Sequence, residues 1–307
     1  MADILDGKLV RDAILESLKP RIAALEELQR PPGLAVVLVG NNPASEIYVR
    51  SKVKACEELG MFSEKHMPTD DVTTEELLFL VRSLNARPDI DGILVQLPLP
   101  AQIDEQQVLM AIDPMKDVDG FHPVSAGHLM AGRPWFRPCT PAGVMKMLAH
   151  YQIPIAGKRA VVVGRSDIVG KPMAMLLLHE SATVTICHSK TRDLAAECRR
   201  ADIVVAAIGR PAFLTPEFIA PHAVVIDVGI NRLKDRAAVA RIFEGDEGRL
   251  AAFDKNGSVV VGDVHPAAFR NCAAYTPVPG GVGPLTIAML MSNTVLSAEF
   301  RFGNPQA

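Results

Sequence analysis

The chain has 307 residues, of which 49% are hydrophobic and 22% charged, and its formal net charge is -3. This length predicts about two globular domains. The small net charge and the lack of a basic stripe argue against nucleic acid or an anionic membrane as a partner and favour a small molecule. Five cysteines without a C-x-x-C pair indicate neither a disulfide framework nor a metal site. Because no apolar run approaches the ~20 residues of a membrane span, we expect a cytoplasmic protein.

The first third of the chain alternates helical and strand patterns. Apolar spacing predicts a helix over 10–28 and a strand over 34–39. A second helix begins after Asn42, which can cap it, and stops at Gly60. A third helix over 75–85 precedes a fully buried strand over 90–96, and this alternation predicts an α/β fold.

Two polar positions point to a possible site in this region. Tyr48 and Lys52 lie four residues apart, on one face of the second helix. Gln96 falls at the carboxyl end of a strand, and the Lys52 helix also follows such an end. Ligands of open α/β sheets bind beyond these ends, so the side chains can converge. A solvated surface lysine beside a half-buried tyrosine is the alternative.

The segment over 113–120 is acidic and rich in turn residues, and Asp119-Gly is a turn signal. Its three aspartates lack calcium-loop spacing, and solvated turn carboxylates are the plainer interpretation. The proline-rich segment over 133–141 predicts a domain boundary. After it, Thr140 is expected to cap a helix that ends near Tyr151.

The stretch over 158–192 predicts a strand over 160–163, a polar turn, a helix that Pro172 opens at its first position, and a strand over 183–187. Gly164 and Gly170 bracket the turn, as suits a nucleotide phosphate at a helix N-terminus. The G-x-G-x-x-G fingerprint is incomplete, because Ser166 replaces its middle glycine. An ordinary βαβ unit therefore remains open.

Further strands are predicted over 203–207 and 224–228, with the last strand over 259–261, and they favour a doubly wound parallel sheet. Residues 233–257 are polar and charged and predict an excursion at a sheet edge. Residues 277–284 are too rich in Gly and Pro for a regular element. They lead into a helix over 285–296 and can expose several backbone N–H groups to a ligand, although a plain linker is the alternative.

Nine segments carry a resemblance to one known family. They are VGNNPASEIYVRSKVKACEELG, GILVQLPLP, KDVDGFHP, PCTPAGV, VVVGRSDIVGKPMAMLL, CHSKT, VIDVGIN, VGDV and PVPGGVGPLTIAML. In type and order they resemble the bifunctional methylenetetrahydrofolate dehydrogenase/methenyltetrahydrofolate cyclohydrolase family, over nearly the whole chain. The 233–257 excursion is longer than we expect for that family.

The resemblance implies a homodimeric enzyme of one-carbon metabolism. It would oxidise 5,10-methylenetetrahydrofolate to the 5,10-methenyl cation with NADP and then hydrolyse that ring to 10-formyltetrahydrofolate. It also implies two domains. A folate-binding α/β domain over 1–139 is completed by the C-terminal helix over 282–307, and a Rossmann-type domain over 140–281 binds the dinucleotide.

The resemblance also assigns roles to individual residues. Lys52 would be the catalytic amine, Gln96 would orient it, Tyr48 would position the pterin, and Asp119 would bind the pterin's amino-pyrimidine edge. The loop over 280–284 would close over the cleft between the domains. The remaining substrate contacts would be Leu97, Pro277, Gly280 and Gly281. The cofactor contacts would be Gly164, Arg165, Ser166, Val169, Gly170, Ser189, Arg192, Ile230, Gly281 and Thr286; no metal is expected.

The end of the second nucleotide-domain strand favours NADP over NAD. An NAD site usually has an acidic residue there, ~20 residues beyond the glycine turn. Here that place is the segment over 187–192, which contains no carboxylate before Asp193. Ser189, Lys190 and Arg192, with Arg165 from the turn, suit a 2′-phosphate instead.

Three alternatives fit less well. Y-x-x-x-K also occurs in short-chain dehydrogenases, but there the nucleotide turn precedes the pair, whereas here it follows. A shikimate-dehydrogenase-like enzyme shares the two-domain plan and an N-terminal lysine, but it leaves Gln96, KDVDG and PGGVGP unexplained. A binding protein without activity on the same scaffold would be expected to lack Lys52 or Gln96.

Overall fold

The computed structural model describes residues 2–28 and 30–302, apart from the side chain at position 44. The chain divides into two compact units, Met1–Val10 with Thr140–Leu285 and Arg11–Cys139 with Thr286–Ala307. We name them the six-stranded unit and the three-stranded unit after their main sheets. The predicted domain ranges run from residue 1 to residue 307, and positions 1, 29 and 303–307 lie outside the described residues.

The strands in the described ranges are β1 Asp3–Ile4, β2 Gly33–Val37, β3 Phe62–His66, β4 Gly92–Val95, β5 Arg159–Val163, β6 Thr183–Cys187, β7 Ile203–Ala206, β8 Val224–Asp227, β9 Asn231–Leu233, β10 Val259–Val261 and β11 Ala274–Tyr275. The α-helices are α1 Gly7–Leu28, α2 Pro43–Leu59, α3 Thr74–Ala86, α4 Glu105–Ala111, α5 Pro123–Met130, α6 Cys139–His150, α7 Gly170–His179, α8 Leu194–Arg199, α9 Arg236–Ile242, α10 Glu247–Asn256 and α11 Gly283–Phe302.

The three-stranded unit contains a parallel sheet in the order β3-β2-β4. Every residue of β2 and β4 is buried, which explains their continuous apolar sequences. Residues of α3 and α4 pack with both strands in one core cluster. The chain passes from β2 to β3 on one side and then to β4 on the other, so a topological switch point lies at the carboxyl ends of β2 and β4.

The edge strand β3 was not predicted from the sequence. Its residues, FSEKH, include two charges and a histidine and lack the β-branched run of a buried strand. It pairs with β2 in parallel register, from Gly33 with Phe62 to Val37 with His66. Charged side chains on an edge strand discourage pairing with other chains, and they also weaken the sequence pattern.

The six-stranded unit confirms the predicted Rossmann-type doubly wound sheet. All six strands of its main sheet are parallel, in the order β1-β11-β8-β7-β5-β6. β5 lies between β6 and β7, so the strand order reverses there. The carboxyl ends of β5 and β7 therefore form the switch point at which such sheets bind ligands.

The prediction for the region over 233–261 was partly wrong. β10 is not the last strand, because β11 follows it in the main sheet. It pairs instead with β9 in a separate antiparallel two-stranded sheet. The excursion between β9 and β10 forms α9 and α10, and it packs on its own small core, which includes Val239 and Phe243. The excursion therefore contains two helices, which its polar sequence did not predict.

Three predicted helix starts shift by a few residues. α1 begins at Gly7, three residues before the predicted range. α6 begins at Cys139, so Thr140 lies in its first turn and is not its cap. Pro172 is the third residue of α7 and not the first. Proline is tolerated at either position because first-turn N–H groups have no partner within the helix. Within 2–28 and 30–302, no helix combines the length and hydropathy needed to cross a membrane.

Candidate active site

Lys52 is held on the buried face of α2. The helix begins just beyond the carboxyl end of β2, where Oδ1 of Asn42 accepts the N–H of Ser45 at 3.3 Å, as expected for a cap. Lys52 is only 7% exposed, so the interpretation as a solvated surface lysine is wrong. A buried ammonium group requires hydrogen-bond partners, and Nζ donates to Oε1 of Gln96 at 3.0 Å.

Gln96 follows β4 directly, at the neighbouring carboxyl end of the same sheet. Its Nε2 donates to the main-chain oxygen of Leu97 at 2.7 Å. With the amide nitrogen fixed in this way, the amide oxygen faces Lys52. The structure thus brings Lys52, Gln96 and Leu97 together at the switch point of the three-stranded unit.

Asp119 completes this polar group. Burial raises the pKa of its carboxyl above the ordinary value, and the nearby charge of Lys52 and the thiol of Cys139 offset part of that rise. Asp119 and Lys52 are therefore close enough for their charges to interact. The site thus combines a carboxyl, an amine whose charge acts on it, and an amide that fixes the amine.

The loop that carries Asp119 is anchored by its two preceding charged residues. Nζ of Lys116 donates to three main-chain carbonyls at the end of α3, those of Leu84, Asn85 and Arg87, at 2.7–3.2 Å. Burial lowers the pKa of Lys116 to about 8. The loop is thereby tied to the core of the unit.

Asp117 contradicts the interpretation of this segment as solvated turn carboxylates. Its side chain is buried and accepts hydrogen bonds from the N–H groups of Phe121 and His122 and from Oγ of Ser125, at 3.1, 2.8 and 2.6 Å. Burial raises the pKa of Asp117 to about 6. In KDVDG, Lys116 and Asp117 thus anchor the loop, and Asp119 contributes to the site.

Two supporting residues were not predicted from the sequence. Cys139 donates to the main-chain oxygen of Val118 at 3.3 Å, and Nδ2 of Asn293 donates to the same oxygen at 2.7 Å. Asn293 also donates to the oxygen of Arg137 at 3.0 Å. Together they fix the main chain beside Asp119. The available signal was an asparagine within the apolar stretch of α11, and the cysteine in PCTP.

Tyr48 lies one helical turn before Lys52 and is 38% exposed. This exposure leaves part of its ring accessible on the same side of α2. The five cysteines are buried and none is in a disulfide. No group of three His, Cys, Asp or Glu side chains in the described residues is arranged to hold a metal ion.

In the six-stranded unit, the turn after β5 requires both of its glycines. Gly164 has φ +131°, and a Cβ there would lie 2.1 Å from the main-chain oxygen of Ala207. A Cβ at Gly170 would lie 2.4 Å from the oxygen of Gly164. Oγ of Ser166 accepts the N–H groups of Val169 and Gly170, both at 3.2 Å, which orders the start of α7.

The predicted 2′-phosphate contacts are exposed at the carboxyl ends of β5 and β6. They are Arg165, Ser189, Lys190 and Arg192. The first nearby carboxylate, Asp193, accepts the N–H of Ala196 at 3.1 Å and so caps α8. Because the Asp193 carboxylate caps α8, it is engaged away from a ribose hydroxyl, in agreement with the sequence pattern that favours NADP over NAD.

The remaining predicted residues follow β8 and β11. Ile230 is 49% exposed beyond β8. Pro277, Gly280 and Gly281 lie in the irregular segment before α11, where Gly280 has φ +105°. The N–H of Gly281 donates to the oxygen of Pro277 at 2.8 Å. This N–H group is therefore not available to a ligand, in contrast to the prediction for the segment over 277–284. Thr286 lies in the first turn of α11 and belongs to the three-stranded unit.

Two family models match the chain. The catalytic domain of tetrahydrofolate dehydrogenase/cyclohydrolase matches residues 5–119, and the NAD(P)-binding domain of the same enzyme matches residues 138–302. The chain belongs to the tetrahydrofolate dehydrogenase/cyclohydrolase family.

Relatives of this family align over nearly full length. A protein of Solibacter usitatus named Bifunctional protein FolD is 64% identical over 304 residues, which cover 99% of each chain. The crystal structure of the bifunctional enzyme FolD from Campylobacter jejuni has a TM-score of 0.87 at 44% identity and covers 98% of this chain and 100% of its own. The Trypanosoma brucei enzyme, solved with NADP cofactor and inhibitor, has a TM-score of 0.87 at 39% identity and covers 98% of each chain.

These comparisons confirm the predicted family, its two-domain α/β fold and its class of bifunctional dehydrogenase and cyclohydrolase. Membership in the tetrahydrofolate dehydrogenase/cyclohydrolase family also excludes the short-chain and shikimate dehydrogenase alternatives. The roles of individual site residues remain predictions.

Proposed function

We propose that this chain oxidises 5,10-methylenetetrahydrofolate to 5,10-methenyltetrahydrofolate with NADP and then hydrolyses the product to 10-formyltetrahydrofolate. The observation that carries the proposal is the buried Lys52 amine, which lies 3.0 Å from Oε1 of Gln96 and whose charge interacts with Asp119. Both family models and the bifunctional relatives support the same pair of reactions.

In this proposal Lys52 is the catalytic amine and Gln96 orients it. Asp119 binds the amino-pyrimidine edge of the pterin, and Tyr48 positions the ring. The raised pKa of the Asp119 carboxyl suits this role, because a half-buried carboxyl gains from a ligand that donates hydrogen bonds to it. Leu97, Pro277, Gly280 and Gly281 supply further substrate contacts.

The oxidation needs little from the protein beyond placement. Hydride leaves a carbon flanked by two nitrogens, and a nitrogen lone pair stabilises the cation that develops. The protein must therefore position the folate carbon against the nicotinamide, without a strong acid or base. This explains why the site combines a single amine with polar positioning groups.

Hydration of the methenyl cation requires an activated water. Desolvation and like charge both favour the neutral form of a lysine beside a bound cation. Neutral Lys52 then accepts a proton from water as it adds to the cation, and ring opening gives the 10-formyl product. Gln96 keeps the amine directed at the bridging carbon.

We also propose NADP as the preferred cofactor. Arg165, Ser189, Lys190 and Arg192 meet its 2′-phosphate, while the Gly164–Gly170 turn, Val169 and Ile230 hold the rest of the dinucleotide with Gly281 and Thr286. The exposed cations and the capping role of Asp193 support this preference. The related Trypanosoma brucei structure contains NADP.

The proposed domain roles keep the predicted ranges, with folate bound by 1–139 and 282–307 and NADP by 140–281, except that residues 1–10 and 282–285 belong to the six-stranded unit. We further propose that the enzyme is a cytoplasmic homodimer. Size-exclusion chromatography with light scattering tests the dimer.

The function is tested by incubating the purified chain with methylenetetrahydrofolate and NADP+. Formation of NADPH together with transient methenyl absorbance, followed by its decay to the 10-formyl product, supports both activities. Formation of neither product would contradict the proposal.

A further inference from the structure

A buried carboxylate organises the main chain at the carboxyl-terminal edge of the six-stranded sheet. Asp263 is 0% exposed. Its Oδ2 accepts the N–H groups of Ile208 at 2.6 Å and Gly209 at 2.9 Å. Its Oδ1 accepts the N–H of Arg210 and Nδ2 of Asn231, both at 2.9 Å. Three consecutive main-chain donors and one side-chain amide therefore converge on a single carboxylate.

The two segments held in this way follow adjacent strands. Residues 208–210 follow β7, and Asn231 comes directly after Ile230, beyond β8. The loop after β7 also lies against the glycine turn, since a Cβ at Gly164 would approach the oxygen of Ala207 to 2.1 Å. Asp263 is thus connected, through one loop, to the switch point at the ends of β5 and β7.

A second buried carboxylate interlocks with the first. Asp227 accepts the N–H groups of Gly229 at 3.0 Å, Asp263 at 2.8 Å and Val264 at 2.9 Å. A Cβ at Gly262 would lie 1.8 Å from Oδ2 of Asp227, and one at Gly229 would lie 2.3 Å from Oδ1 of Asp263. The sequence segments VIDVGIN and VGDV are therefore two halves of one hydrogen-bonded arrangement.

We propose that Asp263 is a positioning residue for the dinucleotide, which holds the loop after β7 and the turn around Ile230 in the arrangement that binds NADP. The inference rests on the NADP site proposed above. A carboxylate that accepts several N–H groups forms charge-assisted hydrogen bonds, which are stronger and shorter than neutral ones. When the main chain of a binding site is already ordered, binding does not lose free energy in ordering it.

The alternative is that Asp263 serves folding alone. The two roles differ in which activity they affect, because the cyclohydrolase reaction consumes no dinucleotide. A positioning role predicts a loss of NADP affinity with the cyclohydrolase retained. A role in folding alone predicts that both activities decline together with thermal stability.

The test compares Asp263→Asn with Asp202→Asn. Asp202 precedes β7 at the opposite end of the same strands, where its partly exposed carboxylate accepts the N–H of Arg159 at 2.9 Å, so it is a control carboxylate away from the proposed site. The probe is NADPH, whose fluorescence measures its Kd directly. Methenyltetrahydrofolate supplied without dinucleotide measures the cyclohydrolase.

We expect Asp263→Asn to raise the Kd for NADPH by about tenfold or more, as loss of orientation in a binding site does. Asp202→Asn should change it by less than about twofold, as surface substitutions typically do. Both variants should retain cyclohydrolase activity. An unchanged Kd in Asp263→Asn, or a parallel loss of NADPH binding and cyclohydrolase, would overturn the proposal.

If Asp263→Asn does not fold, Asn231→Ala decides. It removes one of the four bonds to Asp263 and leaves the buried carboxylate in place. A rise of about threefold in the Kd for NADPH, which is roughly the effect of losing one modest hydrogen bond, supports the inference. An unchanged Kd contradicts it. NADPH binding by the unsubstituted chain tests the proposed function separately, because its absence there would not depend on Asp263.

Discussion

Nζ of Lys52 donates a hydrogen bond to Oε1 of Gln96 at 3.0 Å, and the Gln96 amide is fixed in turn by its bond to the oxygen of Leu97 at 2.7 Å. This arrangement makes Gln96 an orienting group for the amine. Gln96→Ala should lower the cyclohydrolase rate about tenfold or more, because a misdirected base loses the benefit of orientation. The dehydrogenase should fall less.

The matched control for this substitution is Gln102→Ala, an exposed glutamine in the same unit that donates to the oxygen of Asp70 at 2.6 Å. It should leave both rates unchanged. Initial rates with methenyltetrahydrofolate, and separately with methylenetetrahydrofolate and NADP+, provide the measurement. An equal loss of both rates in Gln96→Ala would show that Gln96 mainly binds substrate.

Cofactor choice is tested at Arg165. Arg165→Ala should raise the KM for NADP+ about tenfold, since a charged hydrogen bond to a phosphate contributes roughly 1.5–3 kcal/mol. The KM for NAD+, which lacks the 2′-phosphate, should change little. Arg241→Ala, an exposed arginine on α9, serves as control. Equal catalytic efficiency of the unsubstituted enzyme with NAD+ and NADP+ would refute the NADP preference.

The sequence predicted the Lys52 helix and the position of Gln96 because both depend on local signals. A cap, a first-turn proline and a terminal glycine bound α2, and a continuous apolar run bounds β4. Asp119 and the nucleotide turn were assigned by resemblance of short segments that remain contiguous in the chain. Such short, contiguous patterns can be recognised in the sequence without knowledge of the tertiary structure.

The features that the sequence missed depend on distant contacts. Asn293 and Cys139 act on the oxygen of Val118, which is far from Asn293 in the chain. β3 is half-exposed at a sheet edge, so its polar composition hid its strand character. The pairing of β9 with β10 has no short-range signal, so neither this pair nor the two helices between its strands was predicted.

Asp91 is a buried electrostatic anchor of the three-stranded unit. Asp91 is fully buried and accepts hydrogen bonds from Arg30 at 2.8 and 3.0 Å, from Arg301 at 2.9 Å and from the N–H of Gly33 at 2.8 Å. Asp91→Ala should lower the free energy of unfolding by about 3 kcal/mol, since it leaves two arginines without their buried partner.

Denaturant unfolding followed by Trp135 fluorescence measures this loss. Trp135 is the single tryptophan of the chain and lies in the same unit, so it reports the relevant transition. The control is Asp12→Ala, which breaks an exposed pair with Arg11 and should cost less than about 1 kcal/mol. Similar losses in both variants would contradict the assignment of Asp91 as an anchor.

Asp227 makes the stability of the six-stranded unit depend on pH. Burial raises the pKa of its carboxyl to about 7, the hydrogen bonds from backbone N–H groups oppose this rise, and the charge of Asp263 adds to it. The cavity beside it, about 500 Å³, is also lined by Asp246, Arg249 and Arg270. An unfolded aspartate has a pKa of about 3.9. Between about pH 4 and 7 the native state therefore binds more protons than the unfolded state.

The free energy of unfolding contributed by Asp227 should thus be largest below about pH 4 and decrease as pH rises to about 7. Asp227→Asn cannot ionise, so the unsubstituted chain should lose stability relative to it by roughly 1 kcal/mol per pH unit over this window. Chemical unfolding followed by circular dichroism at pH 5, 6, 7 and 8 measures the difference. Parallel pH profiles would contradict the raised pKa.

The division of labour between the two activities rests on Lys52. If hydride transfer depends on placement and hydration depends on a neutral amine, Lys52→Met should lower the cyclohydrolase by ~10²- to 10⁴-fold, the usual loss of general-base help. The dehydrogenase should lose only what the lysine adds to substrate placement. The matched control is Lys54→Met. Lys54 lies on the same helix, and its Nζ is 3.4 Å from Glu58 in an exposed pair, so this variant should retain both the dehydrogenase and the cyclohydrolase activity.

The most direct measurement is a coupled time course of Lys52→Met with methylenetetrahydrofolate and NADP+, recording NADPH and methenyl absorbance together. We predict that NADPH still forms while the methenyl intermediate accumulates and does not decay to the 10-formyl product. If both activities fall by a similar factor and no methenyl intermediate accumulates, Lys52 binds substrate and is not the base for hydration.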